Sequence, residues 1–240
     1  MSVAKKAGTG CLTAVILFIG VIIIWYQTSF PTASYRFRLS IMIETNGQVH
    51  SSSSVIAVSY RFFPKWAAGM SNGVQFERTV RGQAVVIDVG ERGALVAALT
   101  GPPEDTGVQP AEFIAARAFL PYTQPGTLGF PASLENIEAI SRAQGAAELQ
   151  PNNMPAFLWF SDKADPTTAT FVKPSNFASV LGDSARLVSA KVEITQDPIV
   201  IDIDKELPLY KKLPQPPGLI LSVTDRLIVN WTMFIAPGST

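Results

Sequence analysis

The sequence predicts an α+β protein: an N-terminal transmembrane helix, then a β-rich, mostly antiparallel globular domain with a few short helices. Three observations predict it. An uncharged, mostly apolar run lies near the start of the chain. Several later stretches alternate apolar and polar residues with a period of two, the signature of half-buried strands. Eighteen prolines and seventeen glycines among 240 residues imply many turns and short elements.

The apolar run comes first in the chain. Between Ala7 and Tyr35 there is no Asp, Glu, Lys or Arg. Ala7 to Tyr26 is twenty residues, which as a helix covers roughly the 30 Å hydrocarbon core of a bilayer. A helix satisfies its own backbone groups, the condition for crossing hydrocarbon. Trp25 and Tyr26 stand where an interfacial aromatic belt forms. A cleaved signal peptide is the rival reading, but Pro31-Thr32-Ala33 matches a small-x-small cleavage site poorly. A lipid anchor on Cys11 is disfavoured because the cysteine precedes the apolar run; palmitoylation there is chemically open. Gly10 and Ala14 form a small-xxx-small pair that could support helix pairing. Lys5 and Lys6 on one side, against Arg36 and Arg38 on the other, favour a cytoplasmic N-terminus.

The expected organisation is a cytoplasmic segment 1–6, an anchor 7–26, a polar tether 27–34 and an external domain 35–240, with sub-blocks 35–100 and 101–240. Without Lys5 and Lys6 the chain carries 17 basic and 19 acidic residues, a net charge of −2. That balance gives no electrostatic footprint for nucleic acid. The single cysteine is in the anchor, so the external domain has no disulfide, as suits a bacterial envelope protein.

Along the external domain, Tyr35 to Glu44 alternates, with Phe37, Leu39, Ile41 and Ile43 on one face. Asn46-Gly47 is a tight-turn dipeptide. Ser54 to Phe63 returns, with Ile56, Val58, Tyr60 and Phe62 on one face, and Pro64 ends it. The serines from Ser51 to Ser54 suit a solvated strand start. Gly69 to Gly73 is a loop, Gln75 to Val80 a strand, and Gln83 to Val89 with Ala94 to Leu99 a second hairpin across Gly90-Glu-Arg-Gly93. After Gly101-Pro-Pro103 come two helices. One runs from Pro110 to Leu120, with Phe113, Ile114, Arg117 and Leu120 spaced for one face. The other is capped by Ser133 and runs from Leu134 to Arg142, with continuation to Leu149 open. A loop from Pro121 to Pro131 separates them. Pro155 to Phe160 is a buried strand, Asp165-Pro166 a turn, Thr170 to Lys173 a short strand, and Pro174 to Leu181 a helical turn. Strands follow at Arg186 to Thr195 and Pro198 to Ile203. A last hairpin joins Leu219–Val223 and Leu227–Ile235 across Thr224-Asp-Arg226.

Two groups of residues form a wider pattern. The first is Tyr35 to Thr45 with Ser53-Ser-Val-Ile56, Arg81 to Val85 and Asp88. The second is Phe160-Ser-Asp162, Asp165-Pro166, Val172, Pro174, Phe177-Ala178, Gly182, Leu187, Val192 to Thr195, Asp197-Pro198 and Leu207-Pro208. Together they cover about half of the external domain and resemble an uncharacterised family of bacterial single-pass membrane-anchored proteins of unknown function. At Asp183-Ser-Ala185 the chain departs from the glycine-rich turn usual in that family. The resemblance implies an architecture and carries no functional residues.

The residues themselves name no reaction. The only histidine, His50, is expected in an exposed turn, with no cysteine outside the anchor to pair with it. No motif ties a serine to Lys65, Lys163 or Lys191 as a Ser–Lys pair. Asp202, Asp204 and Glu206 alternate and on a strand would share a face, which a divalent cation could relieve; a solvated edge offset by Lys205, Lys211 and Lys212 explains them as well. Gly90 to Gly93 and Gly126 to Gly129 lack the Lys-Ser/Thr of a phosphate loop. Asn230-Trp-Thr232 matches a glycosylation sequon inside a strand pattern. No catalytic, cofactor-binding or metal-ligating residue is assigned, and no cofactor. The expected role is a non-catalytic binding or assembly component of the envelope, held in the inner membrane with its domain periplasmic; it meets the bilayer through the N-terminal helix, and an envelope protein partner is open. The alternative is an anchored hydrolase with a Ser–Lys or carboxylate site.

Overall fold

The computed structural model describes residues 3–68, 75–100, 112–120, 133–212, 221–223, 227–229 and 235–236. Side chains are described from residue 15 to 212 within these ranges, except those of 68, 112 and 152. The expected loop at 69–73, the 101–103 boundary, Pro110, the 121–131 loop with Gly126 to Gly129, the 224–226 turn, the 230–232 sequon and the side chains of Lys5, Lys6, Gly10, Cys11 and Ala14 lie outside them.

The chain is α+β, with antiparallel sheets and short helices. It divides into two compact units, Met1–Ala33 with Tyr60–Arg78, and Ser34–Ser59 with Thr79–Thr240.

In the first unit, helix α1 (Val3–Ser29) is followed after Phe30 and Pro31 by strand β1 (Thr32–Thr45). The polar tether expected over 27–34 is thus divided between helix end and strand start. This unit also holds the end of β2 (Gln48–Phe62), the short helix α2 (Lys65–Ala68) and the start of β3 (Phe76–Gln83). Pro64 ends β2, and its carbonyl accepts from the Ala67 amide at 2.8 Å to close α2.

The second unit is built on β1. Its inward row, Tyr35, Phe37, Leu39, Ile41 and Ile43, is fully buried, as the alternation predicts. Asn46 and Gly47 both have positive φ, 52° and 75°, the geometry of a two-residue turn whose twist matches the strands. The return strand begins at Gln48, earlier than expected, and so absorbs the serine run.

Further strands are β4 (Val85–Asp88), β5 (Ala94–Ala97), β6 (Ala146–Glu148), β7 (Phe157–Phe160), β8 (Ala169–Phe171), β9 (Arg186–Ile194), β10 (Leu221–Val223), β11 (Leu227–Val229) and β12 (Ile235–Ala236). They form a six-stranded sheet in the order β12-β3-β2-β1-β9-β6, a four-stranded sheet β4-β5-β7-β8 and the hairpin β10-β11. All four residues of β5 are buried, as a strand covered on both faces requires.

β9 pairs antiparallel with β1 from Phe37↔Ile194 to Glu44↔Arg186. The register steps between Met42 and Ile43, leaving Val188 as the extra residue of a β-bulge. Outside the core, Arg38 pairs with Glu193 at 3.4 Å and with Asp197, and Arg186 donates to Glu44 at 2.6 Å. Helix α3 (Glu112–Phe119) packs on β9 and β6, and α4 (Leu134–Ser141) on α3. Helices α5 (Phe177–Leu181) and α6 (Ile203–Glu206) complete the unit.

Four expectations change. In α3 the buried residues are Ile114, Ala115 and Ala116, while Phe113, Arg117 and Leu120 are half-buried; small side chains let the helix sit close to the sheet. Ser133 caps α4 as expected, its Oγ accepting from the Asn136 amide at 3.2 Å. The helix does not continue to Leu149: Gly145 has φ 79° and residues 146–148 pair with β9 instead. The buried strand expected over 155–160 starts at Phe157. Residues 198–202 are not a strand, and 203–206 are helical. The Asp202 amide there donates to the Gln83 side chain at 2.7 Å, so it is spent outside any ladder.

Gly93 closes the β4–β5 turn with φ 93°, and a Cβ there would lie 1.8 Å from the Phe160 carbonyl oxygen. Gly93→Ala therefore meets both a left-handed backbone and a main-chain clash, and should lower stability by about 2 kcal/mol or more. A urea denaturation midpoint equal to that of the parent protein would show that this close approach is not a constraint.

Candidate functional site

The inward row of β2 changes character along the strand. Val58 and Ile56 are buried apolar residues, and the next inward positions are Ser54, Ser52 and His50. Ser54 is buried with its hydroxyl unpartnered among the described residues, while Ser52 and His50 are half-buried. Where the row turns polar, a cleft of about 430 Å³ opens. His50, Ser51 and Ser52 line it from β2, Asp88 from the end of β4, Lys163 from the loop after β7, and Lys205 and Glu206 from α6.

His50 is thus a strand residue on the rim of a cleft, where an exposed turn residue was expected. The strand begins at Gln48, so the turn is complete two residues before it. The signal was present in the sequence: the alternation from Tyr60 back to Ile56 extends in phase to His50. The serine run is split by the same alternation, with Ser51 and Ser53 exposed and Ser52 and Ser54 turned inward.

Lys163 is held by the turn around it. The Asp162 carboxylate accepts from the Ala164 amide at 2.7 Å, and the Lys163 carbonyl accepts from the Leu209 amide at 2.9 Å. The Asp165 carboxylate accepts from the amide and hydroxyl of Thr167 at 2.9 and 2.7 Å, which holds its pKa below the usual carboxylate value. Thus fixed, the Lys163 ammonium donates to both oxygens of Asp88 at 2.9 Å. This hydrogen bond is the main cause that lowers the Asp88 pKa. The Gly90 amide, donating at 2.8 Å, and the charges of Lys163 and His50 add to it, against an opposing desolvation effect.

Opposite them, Glu206 is pushed up from the usual 4.5, first by desolvation and then by the nearby Asp202. The helix parts Asp204 from the other two carboxylates and leaves Asp202 near Glu206. Asp202 flanks α6 and lies 3.9 Å from Lys205, and Asp204 lies 3.4 Å from Lys211. Among the described residues no group of three or more His, Cys, Asp or Glu could hold a metal ion.

The cleft therefore gathers the inward Ser52, one imidazole and fixed charges of both signs, with Ser51 at its rim. These suit hydrogen bonding to a small polar ligand. They are not joined into a nucleophile relay: the Lys163 ammonium is engaged by Asp88, and His50 has no hydrogen-bond partner among the described residues. A second cleft, of about 670 Å³ and on the outer face of the sheet, shares Ser51 and Ser52 and adds Ser40, Ser53, Ser189 and Lys191. In the first unit, the apolar side chains of α1 from Val15 to Ile19 and from Val21 to Tyr26 are 46–66% exposed.

Glu206 fixes a sign for the pH dependence. Its folded pKa is raised, so its contribution is most favourable below 4.5 and is lost as pH rises through the folded value. Glu206→Gln should raise the melting temperature at pH 7 by a few degrees at most, with the gain vanishing at pH 4. A gain that persists unchanged at pH 4 would discard the burial and repulsion argument. Comparison of the chain with protein-family models, curated proteins and solved structures found no match.

Proposed function

We propose that the protein is a membrane-anchored envelope component that works by binding or assembly and not by catalysis. The observation that carries the proposal is the surface of α1. Val15, Ile16, Leu17, Phe18, Ile19, Val21, Ile22, Ile23 and Ile24 are all exposed, so the helix is apolar around its circumference and not along one stripe. A helix of that kind belongs in a protein core or in hydrocarbon. Among the described residues no helix is long and apolar enough to cross a membrane. The α1 side chains described, from residue 15 to 29, span roughly 22 Å, less than the roughly 30 Å of a bilayer core. In this proposal the span is completed by 7–14, whose side chains lie outside the described residues, and Lys5 and Lys6 keep the N-terminus cytoplasmic.

The binding role is supported by the cleft, which offers donors and acceptors in a fixed frame. One observation favours the second reading, an anchored hydrolase: Ser51 and Ser52 share the cleft with Lys163. A lysine acting as general base must be free to take a proton from the serine, and here its ammonium is bound at both ends of the Asp88 carboxylate.

Two measurements test the proposal. The full chain should stay with membranes through carbonate extraction. Leu17→Arg should reduce the retained fraction, because a charge near the middle of a span costs about 2.5–3.5 kcal/mol. Recovery of the parent chain in the soluble fraction would sink the anchoring. Exposure to a serine-hydrolase probe should leave the protein unlabelled; labelling that Ser52→Ala or Ser51→Ala abolishes would establish the hydrolase instead.

A further inference from the structure

The first unit carries a second apolar feature that the anchor does not account for. At the end of α1 the chain turns through Phe30 and Pro31, and the Pro31 carbonyl accepts from the Phe62 amide at 2.9 Å. Phe63 donates to Gln75 at 2.8 Å. These bonds bring the end of β2 and helix α2 beside the end of α1. The contact is aromatic throughout. Trp66 stacks on Trp25 with ring centres 6.2 Å apart and planes 16° from parallel, and Phe30 meets Phe63 and Trp66 edge-on at 6.2 and 6.1 Å. Packing of this kind usually hides an indole. Here Trp25 and Trp66 remain 54% and 59% exposed, side by side.

Cations ring the same patch. The Arg61 guanidinium lies 5.4 Å from the centre of the Tyr26 ring and donates to its hydroxyl. Lys65 is exposed next to Trp66 and has no ion-pair partner among the described residues. In the part of this unit beyond α1, Arg61, Lys65 and Arg78 stand against a single acid, Glu77.

We propose that Trp66, Lys65 and Arg61 form, with Trp25 and Tyr26, a collar that binds the headgroup region of an anionic bilayer. This rests on the anchoring reading of α1. Stacking at 6.2 Å keeps Trp66 within about one helical turn of the depth of Trp25 along the helix axis. If α1 is in the bilayer, Trp25 ends its apolar surface and so lies at the interface, and Trp66 lies there with it. Indole and phenol rings favour this zone because they are apolar bodies with one polar group. Lysine and arginine at that level attract anionic headgroups. The occupant is therefore lipid: the patch continues the apolar surface of α1 without a break, and its charge is the complement of the headgroups. The segment 61–66 thereby gives the folded chain a second contact with the bilayer, some thirty-five residues beyond α1 in the sequence.

Depth-dependent quenching tests it on the full chain. One variant retains only Trp66 (Trp25→Phe, Trp159→Phe, Trp231→Phe) and a second only Trp25 (Trp66→Phe in place of Trp25→Phe). Both are reconstituted into phosphatidylglycerol vesicles with brominated acyl chains, with circular dichroism as the check on folding. The expected result is that Trp66 is quenched by the brominated lipid to an extent comparable with Trp25 and is protected from aqueous iodide. Quenching of Trp25 with Trp66 open to iodide would overturn the collar and leave the anchor standing. A Trp66 shielded from both quenchers would overturn it in favour of a protein contact. Failure of the chain to float with the vesicles, with neither tryptophan quenched, would remove the anchoring reading and the collar with it.

Discussion

The pairing of β1 with β9 is the constraint on which the second unit depends. It joins residues some 140–160 positions apart, so its closure orders most of the intervening chain. Its register is set twice over. Inside, Phe37, Leu39, Ile41 and Ile43 meet Ala190 and Val192 in a fully buried row. Outside, Arg38 faces Glu193 and Glu44 faces Arg186. A slip of one residue would send the apolar row into water and the charges into the core. The buried row supplies most of the stabilisation, because the ion pairs are solvent-exposed and contribute little each.

The cleft follows from this frame. β2 lies against β1, so its inward positions are decided by the same alternation, and the polar ones fall at the hairpin end. α6 packs on β4 and brings Glu206 and Lys205 to that end. A carboxylate lowered by its lysine and another raised by burial then share one concave surface. Opposed shifts of this kind mark places where charge is held under constraint. The lysine beside the neighbouring serines is engaged by Asp88, which is the support for the binding role proposed above.

Local elements were the most legible part of the chain. The strand at 35–44, the Asn46-Gly47 turn, the Ser133 cap and the helical turn after Pro174 all follow from patterns a few residues long. Where the structure departs from local pattern, the cause is competition between a local preference and a distant partner. Residues 146–148 suit a helix, but the open edge of β9 offers them backbone partners and Gly145 frees the turn. Residues 198–202 alternate like a strand, yet the Gln83 side chain takes the amide of Asp202. His50 lies in a strand and not in the turn because β2 starts at Gln48, and the phase of the alternation puts it on the inner side.

The sequence by itself determined the apolar helix at the start, the buried faces of the main strands and the turns between them, because each depends on side-chain period and local backbone preference. Tertiary structure alone decided that Asp88 and Lys163, far apart in the chain, are one ion pair, and that His50 stands beside them. It alone decided that Trp66 stacks on Trp25 in the first unit. No local rule connects such residues: they meet because strand pairing and chain reversal bring their backbones together, and the energy that does so comes mainly from buried residues elsewhere.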